Sequence, residues 1–136
     1  MLRRTFIEGE QSLPSLPLEM RERDAMMLKI AGSINELCEI VHRMAVDKGW
    51  WQGERNDGEL IALIHSELSE ALEGLRHGNG PSGHIPEFNA AEEEMADAVI
   101  RIADMCHVRG WRLGEAIMAK IRFNATREHR HGGKKF

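Results

Sequence analysis

The stretches ELIALIHSELSEALEGLR (59–76) and EEEMADAVIRIADM (92–105) decide how this chain folds. In the first, Leu60, Ile61, Ile64, Leu68, Ala71, Leu72 and Leu75 recur at spacings of three and four, the period of a helix with one apolar side. In the second, Met95, Ala98, Val99, Ile102 and Ala103 do the same, and Cys106 continues the line. Neither stretch alternates at period two, so neither reads as a strand. Asn56 is placed to cap the first helix, with Glu59 three residues on in capping-box position. The second helix opens between Pro86 and Asn89 and ends at Gly110. Between the two, HGNGPSGHIP (77–86) carries the glycines and prolines of a loop.

Working outward, Met27, Ile30, Ile34, Leu37, Val41 and Met44 predict an earlier helix, with Asp24 as N-cap and an end at Lys48-Gly49. A last helix is expected from Leu113 to Arg127, with Ile117 and Ile121 facing inward. Residues 1–23, which include Pro14 and Pro17, read as an extended N-terminal strap. A helical domain then spans 24–128, and HRHGGKKF (129–136) is a basic, flexible tail. The expected fold is all-α, a four-helix bundle.

Composition agrees. The 136 residues fit one domain, and 42% hydrophobic with 29% charged residues is ordinary for a globular chain. Four Phe, three Trp and no Tyr argue against an all-β fold. A net charge of −4 gives no broad affinity for nucleic-acid polymers or membranes. No apolar run of about 18 residues exists to span a bilayer. The opening MLRRTFIEGEQ lacks the apolar core of a secretory signal. Cys38 and Cys106, each within an apolar helical pattern, read as reduced core thiols, and the expected compartment is the cytoplasm.

Acidic residues stand beside the apolar stripes. Glu67 and Glu70 lie on the first quoted helix, Glu94 and Asp97 on the second. Each pair is spaced i, i+3, about 60° apart around a helix. If the helices pack side by side the four carboxylates converge, and like charges that close need a cation. All-oxygen ligands with no companion His or Cys suit Mg²⁺, with Mn²⁺ as substitute, better than zinc. A competing metal pattern is ExxH at Glu39 and His42 with DxxH at Asp104 and His107, reminiscent of di-iron bundles. That arrangement carries an Asp in one motif and leaves both ExxE/ExxD pairs unused.

Together, the ExxE of Glu67 and Glu70, the ExxD of Glu94 and Asp97, and the run KIRFNATREHRHGGKKF (120–136) resemble the MazG-like all-α nucleoside triphosphate pyrophosphohydrolases. The similarity covers about residues 30–134. It implies an all-α NTP pyrophosphatase bundle with Glu67, Glu70, Glu94 and Asp97 as magnesium ligands and catalytic carboxylates. It also implies cleavage of an NTP or dNTP between the α and β phosphates, giving a nucleoside monophosphate and pyrophosphate. Relatives assemble as dimers or tetramers, so a homodimer or homotetramer is expected. Several relatives place an acid directly before the first ligand; here that position is Ser66, which leaves the proton acceptor unassigned between Glu67 and another acid such as Glu93. A non-catalytic relative that binds a nucleotide or a protein is the alternative.

Substrate contacts follow from the same resemblance. Lys120, Asn124 and Arg127 share one helix face with His131 and suit phosphate oxygens, and Arg130 and Lys134 extend that set. Trp50 and Trp51 sit between the first two helices. One of them, with Trp51 preferred, would stack on the base while the other caps the core. Asn56 combines the N-cap role with possible ligand contact, and Trp111 reads as core. HGNGPSG is no P-loop, because no Lys-Ser or Lys-Thr follows its glycines.

Overall fold

The structure, a computed structural model, describes residues 18–127 and has four helices: α1 (Leu18–Asp47), α2 (Asp57–Arg76), α3 (Ala90–Val108) and α4 (Leu113–Ala125). The fold is the expected all-α bundle, with no strand among the described residues. The first seventeen residues of the strap and the tail from 128 onward lie outside the described residues. In the packing, α2 lies on α3, α3 on α1, and α1 on α4. Among the described residues no helix is long and apolar enough to cross a membrane.

The start of α1 corrects the expected N-cap at Asp24. The helix begins at Leu18, because Leu, Glu, Met and Arg at 18–22 are good helix formers and Glu19 complements the positive end of the helix dipole. Asp24, inside the helix, accepts instead from Arg122 Nη2 at 2.6 Å, tying α1 to α4. The far end follows the sequence. Gly49 at φ +81° turns the chain, its N–H bonding Val46 O while Trp50 N–H bonds Ala45 O, the Schellman pattern. Helix α3 ends the same way at Gly110, with Trp111 N–H on Cys106 O.

The inward faces keep part of the expected stripes, with Val41, Leu60, Ile64, Ala71, Ala98, Ala103 and Cys106 buried, but several of the larger expected members lie outside. On α1 the buried line is Ala31, Cys38, Val41 and Ala45, while Ile30, Leu37 and Met44 are exposed. Small side chains let neighbouring helices approach, so the bulkier ones are displaced to the flanks. On α2 the buried line is Leu60, Ile64, Glu67 and Ala71, leaving Ile61, Leu68, Leu72 and Leu75 outside. Met95 and Val99 of α3 and Ile121 of α4 are likewise exposed, and so is Trp111, which was expected in the core. Cys38 and Cys106 are buried and free, and burial pushes both thiols up.

Helix α4 also stops at Ala125, short of Arg127, and takes its cap from another helix. Arg112 at its N-cap offers no side-chain bond; Asn35 of α1 accepts from Gly114 N–H at 3.0 Å and donates to Glu115 at 2.8 Å. Gly114 is buried against Ala31, and a Cβ there would fall 2.2 Å from Ala31 O.

Candidate metal centre

Helices α2 and α3 each have an asparagine N-cap, and the two caps lie at opposite ends of the packed pair. Asn56 Oδ1 accepts from Glu59 N–H at 2.8 Å, while the Glu59 carboxylate pairs with Arg55 instead of completing a capping box. The full capping box belongs to α3, between Asn89 and Glu92. The side chain of Asn56 is thus occupied as a cap. The α2–α3 loop is closed by bonds from Ser82 N–H to Phe88 O and from Ala90 N–H to Gly80 O, both 2.9 Å, so the two helices lie side by side.

This packing brings Glu67, Glu70 and Glu94 together, each with a carboxylate oxygen within 4.8 Å of the others. Glu67 is buried, 5% exposed, whereas Glu70 faces solvent. Asp97, half-buried one turn beyond Glu94 on α3, is not part of this group. Burial is the largest cause that holds the Glu94 carboxyl above its ordinary value, followed by repulsion from Glu70 and a hydrogen bond with Glu67. Asp97 is raised chiefly by burial, then by Glu67 and Glu93. Three carboxylates with oxygens this close form the kind of donor set a hard divalent cation takes. The residues fit a divalent cation, and among the described residues no other group of three acids, histidines or cysteines has this geometry.

Arg101 and His84, neither of them among the expected site residues, stand next to this cluster and to Glu93. Arg101, one turn beyond Asp97 on α3, donates Nε–H to Glu67. Its guanidinium also sits 5.5 Å from the centroid of the Trp50 ring. Glu93 is held by Ser82 Oγ–H and by His84, whose Nδ1 lies 2.6 Å from Glu93 Oε1. These hydrogen bonds, Ser82 first, keep the Glu93 carboxyl below its usual range. Ser66 bonds its own helix, donating to Leu63 O at 2.7 Å.

Beside Arg101, between the end of α1 and the faces of α2 and α3, opens a cavity of about 180 Å³. Its walls include Val41, Ala45, Trp50, Leu60, Ile100 and Arg101. Trp50 is 51% exposed there. Trp51 is half-buried, and its Nε1–H points to Asp104 at 3.1 Å. Asp104 is buried and also bonds His42 Nδ1 at 2.7 Å, and His42 rests on His107 with ring centroids 4.9 Å apart. The ExxH and DxxH residues thus form a polar network around Trp51, with Glu39 drawn off to Arg43.

The helix that carries the remaining candidates packs elsewhere. Lys120, Asn124 and Arg127 are exposed and follow α4, which lies on α1, while the carboxylates belong to α2 and α3. Lys120 Nζ sits 4.6 Å over the Phe123 ring. No protein-family model, curated protein or solved structure matches this chain.

Proposed function

We propose that the protein is a Mg²⁺-dependent nucleotide pyrophosphohydrolase of the MazG-like kind, cleaving an NTP or dNTP to a monophosphate and pyrophosphate. The observation that carries this reading is the convergence of Glu67, Glu70 and Glu94 on two adjacent helices, with Asp97 one turn beyond Glu94. Glu67, Glu70, Glu94 and Asp97 would hold the metal. When bound, the cation would neutralise phosphate charge and favour ionisation of a water nucleophile. The chain's own groups do the rest. Arg101 donates to Glu67, which fixes the position of the innermost ligand between α2 and α3. Trp50, exposed at the cavity mouth beside Arg101, supplies a face on which a nucleobase can stack. Lys120, Asn124 and Arg127 remain the proposed phosphate contacts.

A homodimer or homotetramer is part of the same reading, supported by exposed Met26, Ile30, Leu37 and Met44 along α1. A non-catalytic binding module is the second reading, favoured by Ser66, whose hydroxyl is turned back onto Leu63 O.

The deciding experiment is a panel of NTPs and dNTPs with Mg²⁺, scoring pyrophosphate and monophosphate release, with Glu70→Gln as control. Glu70 is exposed, so its substitution leaves the fold intact. Pyrophosphate release lost in Glu70→Gln supports the enzyme. Metal and nucleotide binding without release from any substrate would establish the binding module instead.

A further inference from the structure

The loop between α2 and α3 places a histidine where the pyrophosphohydrolase reading lacks a group. Ser82 is buried, and its Oγ accepts the N–H of His84 at 3.1 Å and of Ile85 at 3.0 Å while donating to Glu93. The other Glu93 oxygen engages His84 Nδ1 at 2.6 Å. The loop backbone, one serine and one glutamate therefore fix this imidazole, although its side chain is 88% exposed. Glu93 is spoken for by two partners and Glu67 by Arg101 and Glu94, while Ser66 has no basic atom to offer.

A carboxylate on Nδ1 selects the tautomer with its proton on that nitrogen and leaves the Nε2 lone pair outward. Glu93 immediately precedes Glu94, and His84 is near enough to feel the charges of Glu94 and Asp97. The imidazole is therefore anchored to the residue that precedes Glu94, with most of its side chain exposed to solvent.

We propose that His84 is the proton acceptor for the attacking water, with Glu93 and Ser82 as its positioning residues. This rests on the pyrophosphohydrolase reading. In the step, His84 Nε2 takes one proton from water as the water oxygen forms a bond to phosphorus. The bridging P–O bond between the α and β phosphates breaks, and its electron pair leaves on the departing group, pyrophosphate when the α phosphorus is attacked and the monophosphate when the β phosphorus is. The imidazolium then releases its proton to solvent, returning the residue to its starting state. No other reactant is needed.

The groups facing His84 are Ser82 of its own loop and Glu93, Glu94 and Asp97 of α3. The hydrogen bond to Glu93, the largest cause, holds the His84 pKa above the ordinary value for a histidine. Turnover should accordingly rise with pH through that raised value and level off beyond it.

The test compares wild type, His84→Ala and His84→Gln with saturating nucleotide and Mg²⁺ across pH, alongside Mg²⁺ binding by calorimetry. The expected result is a fall in kcat of about 100-fold in both variants, loss of the rising limb, unchanged Mg²⁺ affinity and partial rescue of His84→Ala by added imidazole. Glu93→Gln should lower the His84 pKa read by NMR. An active wild type whose variants keep its kcat, or keep the rising limb, overturns the role of His84 alone. A variant that raises KM and spares kcat assigns His84 to phosphate binding and also overturns it. A wild type that releases pyrophosphate from no nucleotide overturns the pyrophosphohydrolase reading and this role with it.

Discussion

Arg101 on α3 donates to Glu67 on α2 in an ion pair whose carboxylate side chain is 7% exposed. Truncating the arginine strands a buried charge, whereas removing both partners strands none. Arg101→Ala should destabilise the metal-free protein by about 2 kcal/mol, discounted because the arginine is itself 25% exposed. The double variant with Glu67→Gln should lose less than the sum of the singles. Urea unfolding of the four proteins checks this, and additive losses would mean the pair is not coupled.

The acid cluster has a pH signature of opposite sign to ordinary carboxylates. Glu94 and Asp97 have raised pKa values, chiefly through burial, so between the ordinary and the raised value the folded protein binds more protons than the unfolded chain. Stability therefore falls as pH rises through that window and stays reduced above it. Glu93 and Glu115 are shifted downward, and their contribution is lost as pH falls, so the comparison must be made against variants. With chelator present, Glu94→Gln should be more stable than wild type at neutral pH and show a shallower decline with pH. Added Mg²⁺ should stabilise wild type more than the variant, closing the gap. Thermal unfolding at about pH 5 to 8 measures both, and a Glu94→Gln protein no more stable than wild type in chelator would contradict the repulsion.

The four helices could be read from the chain because apolar spacing, glycine stops and Asn caps agree locally. The pairs Glu67/Glu70 and Glu94/Asp97 could be read for the same reason, since i, i+3 spacing is a property of one helix, and the packing brings three of these four, Glu67, Glu70 and Glu94, together. Depth could not be read. Glu67 is buried only because Arg101, distant in sequence, comes to meet it. Arg101 itself left a trace, since it follows Asp97 by four residues on the same face. His84 left none, because its partner Glu93 is reached through a loop fold that periodicity does not describe. Adjacent Trp50 and Trp51 look alike in sequence, and only the position of Asp104 separates them. Which flank of α1 faces inward was decided by the fit of Ala31 and Ala45 against neighbouring helices, information that one helix does not contain.

Gly114 is a second consequence of that close approach. A methyl group there would meet the Ala31 carbonyl, a backbone atom that no rotamer change can move. Gly114→Ala should push α4 from α1 and cost on the order of 3 kcal/mol, despite the higher helix propensity of alanine. Asn35→Ala, which removes the cap and the bond to Glu115, should cost about 1 kcal/mol. Denaturant midpoints measure both, and a Gly114→Ala protein as stable as wild type would mean the helices separate more easily than this contact implies.

The two tryptophans should respond in opposite ways. Trp51 gives its Nε1–H to buried Asp104, so Trp51→Phe keeps the ring but removes a bond to a charged acceptor, costing about 2 kcal/mol. With the ring in place and the cavity wall formed by its neighbour, KM for nucleotide should change little. Trp50 is half exposed and its ring faces Arg101. Trp50→Ala should leave the unfolding midpoint nearly unchanged while KM rises about tenfold, within the ~1–3 kcal/mol that base stacking contributes. If Trp51→Phe instead raised KM and Trp50→Ala did not, the stacking ring would be Trp51, and Asp104 would be orienting it toward the substrate.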